Sequence, residues 1–384
     1  MNILFDFITP QHFIGGAGEY VRKVFYTLQT YINENHLNCT LYGAIDTSIN
    51  KFAYSDLCPK YLAQKNVTPV DINGRSLQSI IVEKKIDRVF IGALQYWIKY
   101  DVNDVSIPIV CVVHDLCDEE YQENRLIDLE KSTELLPYIL YKIRIKIRKP
   151  RRIVKDKLLI EKIGKNESSR LVTVSEFSRQ SLCYHFSIER NKVEVLYSPE
   201  RTYILKDTIF NETLRDIIDS KKKYYLLLSA NRKKKNAQSA IRAFKRYIET
   251  KRDDAWLVTV GGGTCMCARQ IVLPYLDESD LTHALANCYA LVFPSIFEGF
   301  GYPPVEAMRF GKPILHSNVT SIPEIVGPRQ ISFSPFYSSD IYSAFMKLNG
   351  SNYEVYSKES KLRYAKVSNR QKEDLKKLIE YITE

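Results

Sequence analysis

No stretch of this sequence approaches the roughly 20 consecutive apolar residues that a membrane-spanning helix needs. The opening MNILFDFITP has neither the basic nor the apolar region of a secretion signal, so a cytoplasmic protein is expected. Eight cysteines stand at 39, 58, 111, 117, 183, 265, 267 and 288, and none makes the C-x-x-C pair of a zinc site or a thioredoxin-like centre. They read as buried free thiols in a reducing compartment, and Cys265 and Cys267 as inert rather than as metal ligands. Short-period repeats and low-complexity segments are absent as well. What is present is a globular composition: 384 residues, 45% apolar, 12% aromatic and 26% charged. That excludes a disordered tail, a collagen-like fibre and a pure coiled coil, and the length fits two domains.

A formal net charge of +10 would admit nucleic acid, a membrane surface or an anionic substrate as partner, so its location matters. Residues 142–157 (KIRIKIRKPRRIVKDK) carry +8 and residues 221–235 (KKKYYLLLSANRKKK) carry +7, which leaves −5 for the rest of the chain. Residues 101–134, just upstream of the first cluster, carry −8. A general polyanion binder would not normally hold such an acidic block beside its basic one.

Short β-rich runs alternate with helical patterns, the signature of stacked βα units and parallel sheets. The first series is Asn2–Phe7, Thr40–Ala44, Arg88–Ile91, Pro108–Val113, Leu171–Val174 and Val193–Leu196. A glycine-bearing turn (Gly15, Gly16, Gly18) and an amphipathic stretch from Glu19 to Tyr31 follow its first member. Ser198–Ser220 is polar without a clean period and reads as a linker. A second series runs through Tyr224–Ser229, a helix from Asn236 to about Thr250, then Ala255–Val260 and Ala290–Phe293, and closes at Pro313–Ser317. Leu375, Leu378, Ile379 and Ile382 fall at helical spacing, so an amphipathic helix should end the chain. The expected division is 1–200, 201–366 and a closing helix, 367–384, packed back on the first domain. Two open α/β sheets of this kind create a cleft, and ligands bind beyond the carboxyl ends of their strands.

The most informative stretch is FPSIFEGFGYPPVEAMRFGKPILHSNVTSIPEIVG, Phe293 to Gly327. A strand ends at Phe293, a loop with Gly299 and Gly301 follows, and Pro303 and Pro304 stand where a helix should start. The amino end of that helix offers unbonded amides and partial positive charge to an anion, and the glycines let a phosphate or sugar reach the backbone. Glu298 precedes the turn and Glu306 follows it, so both can flank one ligand.

The run Glu298-Gly299-Phe300-Gly301-Tyr302-Pro303-Pro304-Val305-Glu306-Ala307 resembles the signature of the retaining glycosyltransferases of the GT-B fold, group four, in which seven residues separate two glutamates. Gly15-Gly16-Ala17-Gly18 resembles that family's amino-terminal glycine loop, and His114-Asp115-Leu116 its cleft histidine. Thr173 to Ser178 resembles the strand-to-helix turn late in its first domain. Ser229-Ala230-Asn231-Arg232 with Lys235-Asn236 resembles its Arg and Lys pair, although the commoner form has a glycine before the arginine and a longer gap to the Lys-Asn. Of Lys233, Lys234 and Lys235, we favour Lys235 because it directly precedes Asn236.

The resemblance implies two Rossmann-like domains facing each other across a cleft. It implies transfer of a hexose from a nucleotide-diphosphate sugar to a saccharide or lipid-linked saccharide acceptor, with retention of configuration. Arg232 and Lys235 would contact the donor diphosphate, together with Gly15, Gly16, Gly299, Phe300, Gly301, Tyr302 and Pro303. Glu306 would accept from the ribose hydroxyls, while Glu298 and His114 would meet the donor sugar. Fixed cations and amides there would stabilise the charge that develops on the leaving phosphate. The chain has no strict D-x-D, so a metal-held diphosphate is not suggested, and no cofactor beyond the donor is expected.

Other readings stand beside these. His114 can cap a neighbouring backbone group, the Gly15 loop and Gly261-Gly262-Gly263 can be plain turns, and His185 and His283 lie in helical patterns without partners. Ile139, Ile143 and Ile147 suggest a helix through the 142–157 cluster, whereas the alternation from Lys142 to Arg148 would suit a strand. As a helix it could rest on the inner face of an anionic membrane; an ordinary solvated face is the alternative. A nucleotide-sugar epimerase of the same fold and a basic nucleic-acid-binding protein are the rival functions. The latter is disfavoured because Tyr224 and Tyr225 sit in an apolar run that reads as buried strand.

Overall fold

The computed structural model describes every residue except 13–14, 50–52, 103–104, 121–158, 162, 165, 202–205 and 264. The basic 142–157 cluster therefore lies outside the described residues. The chain divides into two compact units, residues 1–201 with 371–384, and residues 202–370.

The first unit is built on seven parallel strands: β1 (Asn2–Asp6), β2 (Thr40–Ile45), β3 (Val67–Asp71), β4 (Arg88–Ile91), β5 (Ile109–Val113), β6 (Arg170–Thr173) and β7 (Val193–Val195). Their order is β3-β2-β1-β4-β5-β6-β7. The central strands read as unbroken apolar runs, such as Ile-Val-Cys-Val-Val in β5, because a parallel sheet is covered on both faces. The order reverses between β1 and β4, and Asp6 stands at that point, fully buried. It accepts hydrogen bonds from the Thr9 amide (3.0 Å), the Thr9 hydroxyl (2.7 Å) and the Gly92 amide (2.9 Å), which fastens the ends of β1 and β4 together. The helix Gly16–Glu34 buries Tyr20, Val21, Val24, Phe25 and Leu28 along one stripe.

The second unit has six parallel strands: β8 (Tyr224–Leu227), β9 (Trp256–Val260), β10 (Gln270–Leu273), β11 (Ala290–Phe293), β12 (Ile314–Ser317) and β13 (Ile331–Phe333). They are ordered β10-β9-β8-β11-β12-β13, the strand order of a dinucleotide-binding sheet. On one face the helices Ala237–Lys251 and Ser338–Lys347 close over Tyr225, whose ring meets Phe345 at 5.0 Å and Phe244 at 5.9 Å, both edge-on.

Three strands escape the sequence reading, and all three are edge strands. β3 contains Pro69 and buries only Val67 and Val70 of its five residues, β10 is four residues long, and β13 is three. Short, half-covered edges carry no apolar run to read. Pro313–Ser317 consequently does not close the second sheet; β13 does. The stretch read as linker holds a helix, Glu212–Asp219, capped by the Asn211 side chain on the Leu214 amide (2.9 Å) and buried through Leu214 and Ile217. The chain ends in a 31-residue helix, Tyr353–Thr383, whose last turns bury Leu378, Ile379 and Ile382 in the first unit.

Candidate functional site

In the second unit the site residues gather at the carboxyl edge of the sheet. After β8 the chain turns sharply: Ser229 takes a left-handed conformation, the Arg232 amide donates to the Ser229 carbonyl (3.0 Å), and the Lys235 amide donates to the Arg232 carbonyl (2.9 Å). This tight turn sends three consecutive lysines in different directions. Lys233 is exposed, Lys234 is half-buried and Lys235 is 8% exposed. Asn236, itself left-handed, donates through Nδ2 to the Pro335 carbonyl (2.8 Å) and launches the helix Ala237–Lys251. Arg232 stays exposed beside this turn.

Lys235 Nζ forms an ion pair with Glu298 Oε1 and lies 5.1 Å from the centroid of the Phe293 ring, a cation–π contact. The sequence-favoured lysine is thus joined to the first glutamate of the signature. The loop that carries Glu298 is splinted from one side by the end of β12 and the segment after it. Ser317 Oγ donates to the Ser295 carbonyl (2.5 Å), and Thr320 Oγ1 accepts from the Glu298 amide (3.3 Å). Ser321 Oγ spans the carbonyls of Glu298 (2.9 Å) and Phe300 (3.2 Å). Gly299 and Phe300 are buried, and Gly301 caps the helix Tyr302–Arg309 at φ 96°, a conformation that favours glycine. Pro303 sits in its first turn, and Glu306, 3% exposed, in its second. None of Ser317, Thr320 and Ser321 was marked by sequence reasoning.

Gly261, Gly262 and Gly263, which end β9, all have positive φ. At Gly261 an added Cβ would lie 3.3 Å from the Ser229 Cα, so the glycine permits the close approach of the two loops. Tyr275, exposed just after β10, donates its hydroxyl to Asn231 Oδ1 (3.0 Å) and so stands over the same corner. No motif announced it.

In the first unit Gly15 is fully extended, and its amide donates to the Tyr54 hydroxyl (3.2 Å). Gly16 opens the helix, and a Cβ on Gly18 would come within 2.6 Å of the Tyr54 ring. His114 follows β5 and is buried; its Nε2 lies 2.9 Å from the Gly92 carbonyl, which can only accept, so Nε2 carries the hydrogen. Tyr20 meets its ring edge-on at 4.7 Å, and burial pushes its pKa down, which keeps the imidazole neutral. Among the described residues no cluster of three or more potential metal ligands occurs, and no helix is long and apolar enough to cross a membrane.

Residues 211–344 match the family model described as glycosyl transferases group 1, a span that takes in most of the second unit. The serotype-specific mannosyltransferase WbdA of Escherichia coli is 46% identical over 67 residues, which is 17% of this chain and 8% of that protein. The O-antigen chain mannosyltransferase RfbU of Salmonella typhimurium is 27% identical over 180 residues, 43% of this chain and 46% of the relative. The chain therefore spans less than half the length of these relatives. HepE of Anabaena, solved with UDP and glucose, superposes with a TM-score of 0.65 at 14% identity, over 99% of this chain and 97% of its own. That likeness shows the fold: two parallel-sheet, Rossmann-like units as in GT-B glycosyltransferases.

Proposed function

We propose that the protein is a retaining, metal-independent glycosyltransferase that moves a hexose from a nucleotide-diphosphate sugar to a saccharide or lipid-linked saccharide acceptor in surface polysaccharide assembly. The observation that carries this reading is the Lys235–Glu298 pair beside the glycine-capped helix start, with Arg232 exposed next to it. The family model over the second unit supports it, and the mannosyltransferases among the relatives favour mannose as the first hexose to try.

In this mechanism the bond between the sugar C1 and the diphosphate oxygen breaks, and an acceptor hydroxyl bonds to C1 on the same face. The departing phosphate oxygen takes the hydroxyl proton. Negative charge grows on the leaving diphosphate, and Arg232, Lys235 and the amides around Gly299 to Tyr302 stabilise it without reorganising. Lys235 would then be shared between phosphate and Glu298, which draws the carboxylate towards the donor sugar. Glu306 accepts from the ribose hydroxyls. The resemblance of their motifs assigns Gly15, Gly16 and His114 a part in substrate binding within the first unit.

A thermal-shift panel of GDP-mannose, UDP-glucose and dTDP-glucose, followed by product analysis, tests the reading. One of these should raise the melting temperature and be slowly hydrolysed, and Glu306→Ala should abolish the shift. The reading fails if no nucleotide sugar binds and Glu306→Ala changes nothing; isomerised sugar as product would make the protein an epimerase.

A further inference from the structure

The +7 cluster of the sequence is not one patch. β8 divides it, so that Arg232–Lys235 stand at the carboxyl edge and Lys221–Lys223 at the amino edge of the second sheet. β8, β9 and β10 lie side by side there, and the residues leading into each are basic: Lys221–Lys223 before β8, Lys251 and Arg252 before β9, Arg269 before β10. Against these six cations stand Asp219, Asp253 and Asp254. Asp253 is already engaged by Lys223 Nζ (3.0 Å) and the Tyr247 hydroxyl (2.6 Å). Lys245 and Glu249, which face the adjacent Cys267, offset each other.

The cations are ordered on aromatic rings. Lys222 Nζ and the Arg269 guanidinium lie 5.2 and 5.6 Å from the centroid of the Trp256 ring, and Lys223 Nζ lies 4.5 Å from that of Tyr289. Both rings are half-buried. Apolar ring bodies with charged tips on long stems suit the boundary between lipid headgroups and acyl chains. Nucleic acid suits the edge less well, because the rings a base would stack on are taken by cations.

We propose that the amino edge of the second sheet is a docking surface for an anionic lipid bilayer. The proposal stands apart from the transferase reading and from the 142–157 cluster. It is tested by sedimenting the full chain with phosphatidylcholine vesicles that contain or lack phosphatidylglycerol. The variant Lys222→Glu/Lys251→Glu/Arg252→Glu is compared with a control of equal charge change, Arg242→Glu/Lys366→Glu/Lys372→Glu, placed at exposed positions away from that edge. Wild type should sediment only with the anionic vesicles, the edge variant should lose at least about tenfold in partition, and the control should stay within about twofold. Equal loss in both variants, no sedimentation of wild type, or a salt-sensitive gel shift with DNA in place of vesicle binding overturns the proposal. If charge reversal unfolds the unit, the Gln substitutions at the same three positions carry the comparison.

Discussion

Lys235 and Glu298 hold opposite charges with only 10% and 13% of their side chains exposed. Removing one partner strands the other in a poorly solvated place, which is costlier than removing both. Lys235→Met should therefore lose about 3 kcal/mol in urea unfolding, near the low end for buried pairs because some solvent reaches this one, and the further change Glu298→Leu should recover most of that. Gly301→Ala isolates a different cost. Its Cβ would have 3.7 Å of room against Phe293, so the expected loss of about 1–2 kcal/mol comes from φ 96° alone. The signature glutamates were legible because their string is contiguous, and Lys235 because it abuts Asn236. Ser317, Thr320 and Ser321 were not, since a serine that ties a carbonyl 21 or 22 residues away looks like any loop serine until the two loops meet.

At the scale of elements, the last turns of the closing helix seal the first unit by two kinds of contact of unequal worth. Ile382, fully buried, belongs to the packed interior, whereas Lys377 reaches Glu194 on the edge strand β7 with about half its side chain in water. Ile382→Ala should cost about 2–5 kcal/mol and Lys377→Ala under about 1 kcal/mol, compared by urea midpoints. Polar ties fix the helix in register: the Tyr197 amide donates to Asp374 (2.7 Å) and Gln371 Nε2 to the Ser198 carbonyl (2.5 Å). The apolar spacing of Leu378, Ile379 and Ile382 revealed this helix, and strands covered on both faces were equally plain. Pattern failed where coverage is partial, at the edges β3, β10 and β13, and in Glu212–Asp219, where a two-residue apolar stripe hid inside a polar stretch.

Over the whole molecule, charge that looked collective resolves into local duties, and so does the response to acid. His316, on β12, is 1% exposed; its Nδ1 lies 3.0 Å from the Ser317 carbonyl, and burial pushes its pKa down to about 4. Unfolded, the same imidazole titrates near its ordinary value of 6.5. Between those values the unfolded chain binds a proton that the native chain refuses, so stability is full above about 6.5 and is lost as pH falls towards 4. Within that window the group contributes a slope of at most about 1.4 kcal/mol per pH unit. His114 acts in the same sense in the first unit, but there the buried Asp6, whose pKa burial raises, opposes it. The second unit is therefore the clearer place to look. His316→Asn keeps a donor near Ser317 and removes the titration, so its urea midpoint should start lower at pH 7 yet fall less steeply between pH 6.5 and 4.5. Identical slopes for wild type and variant would mean that His316 accepts its proton in the folded state and that the sheet around it opens to water.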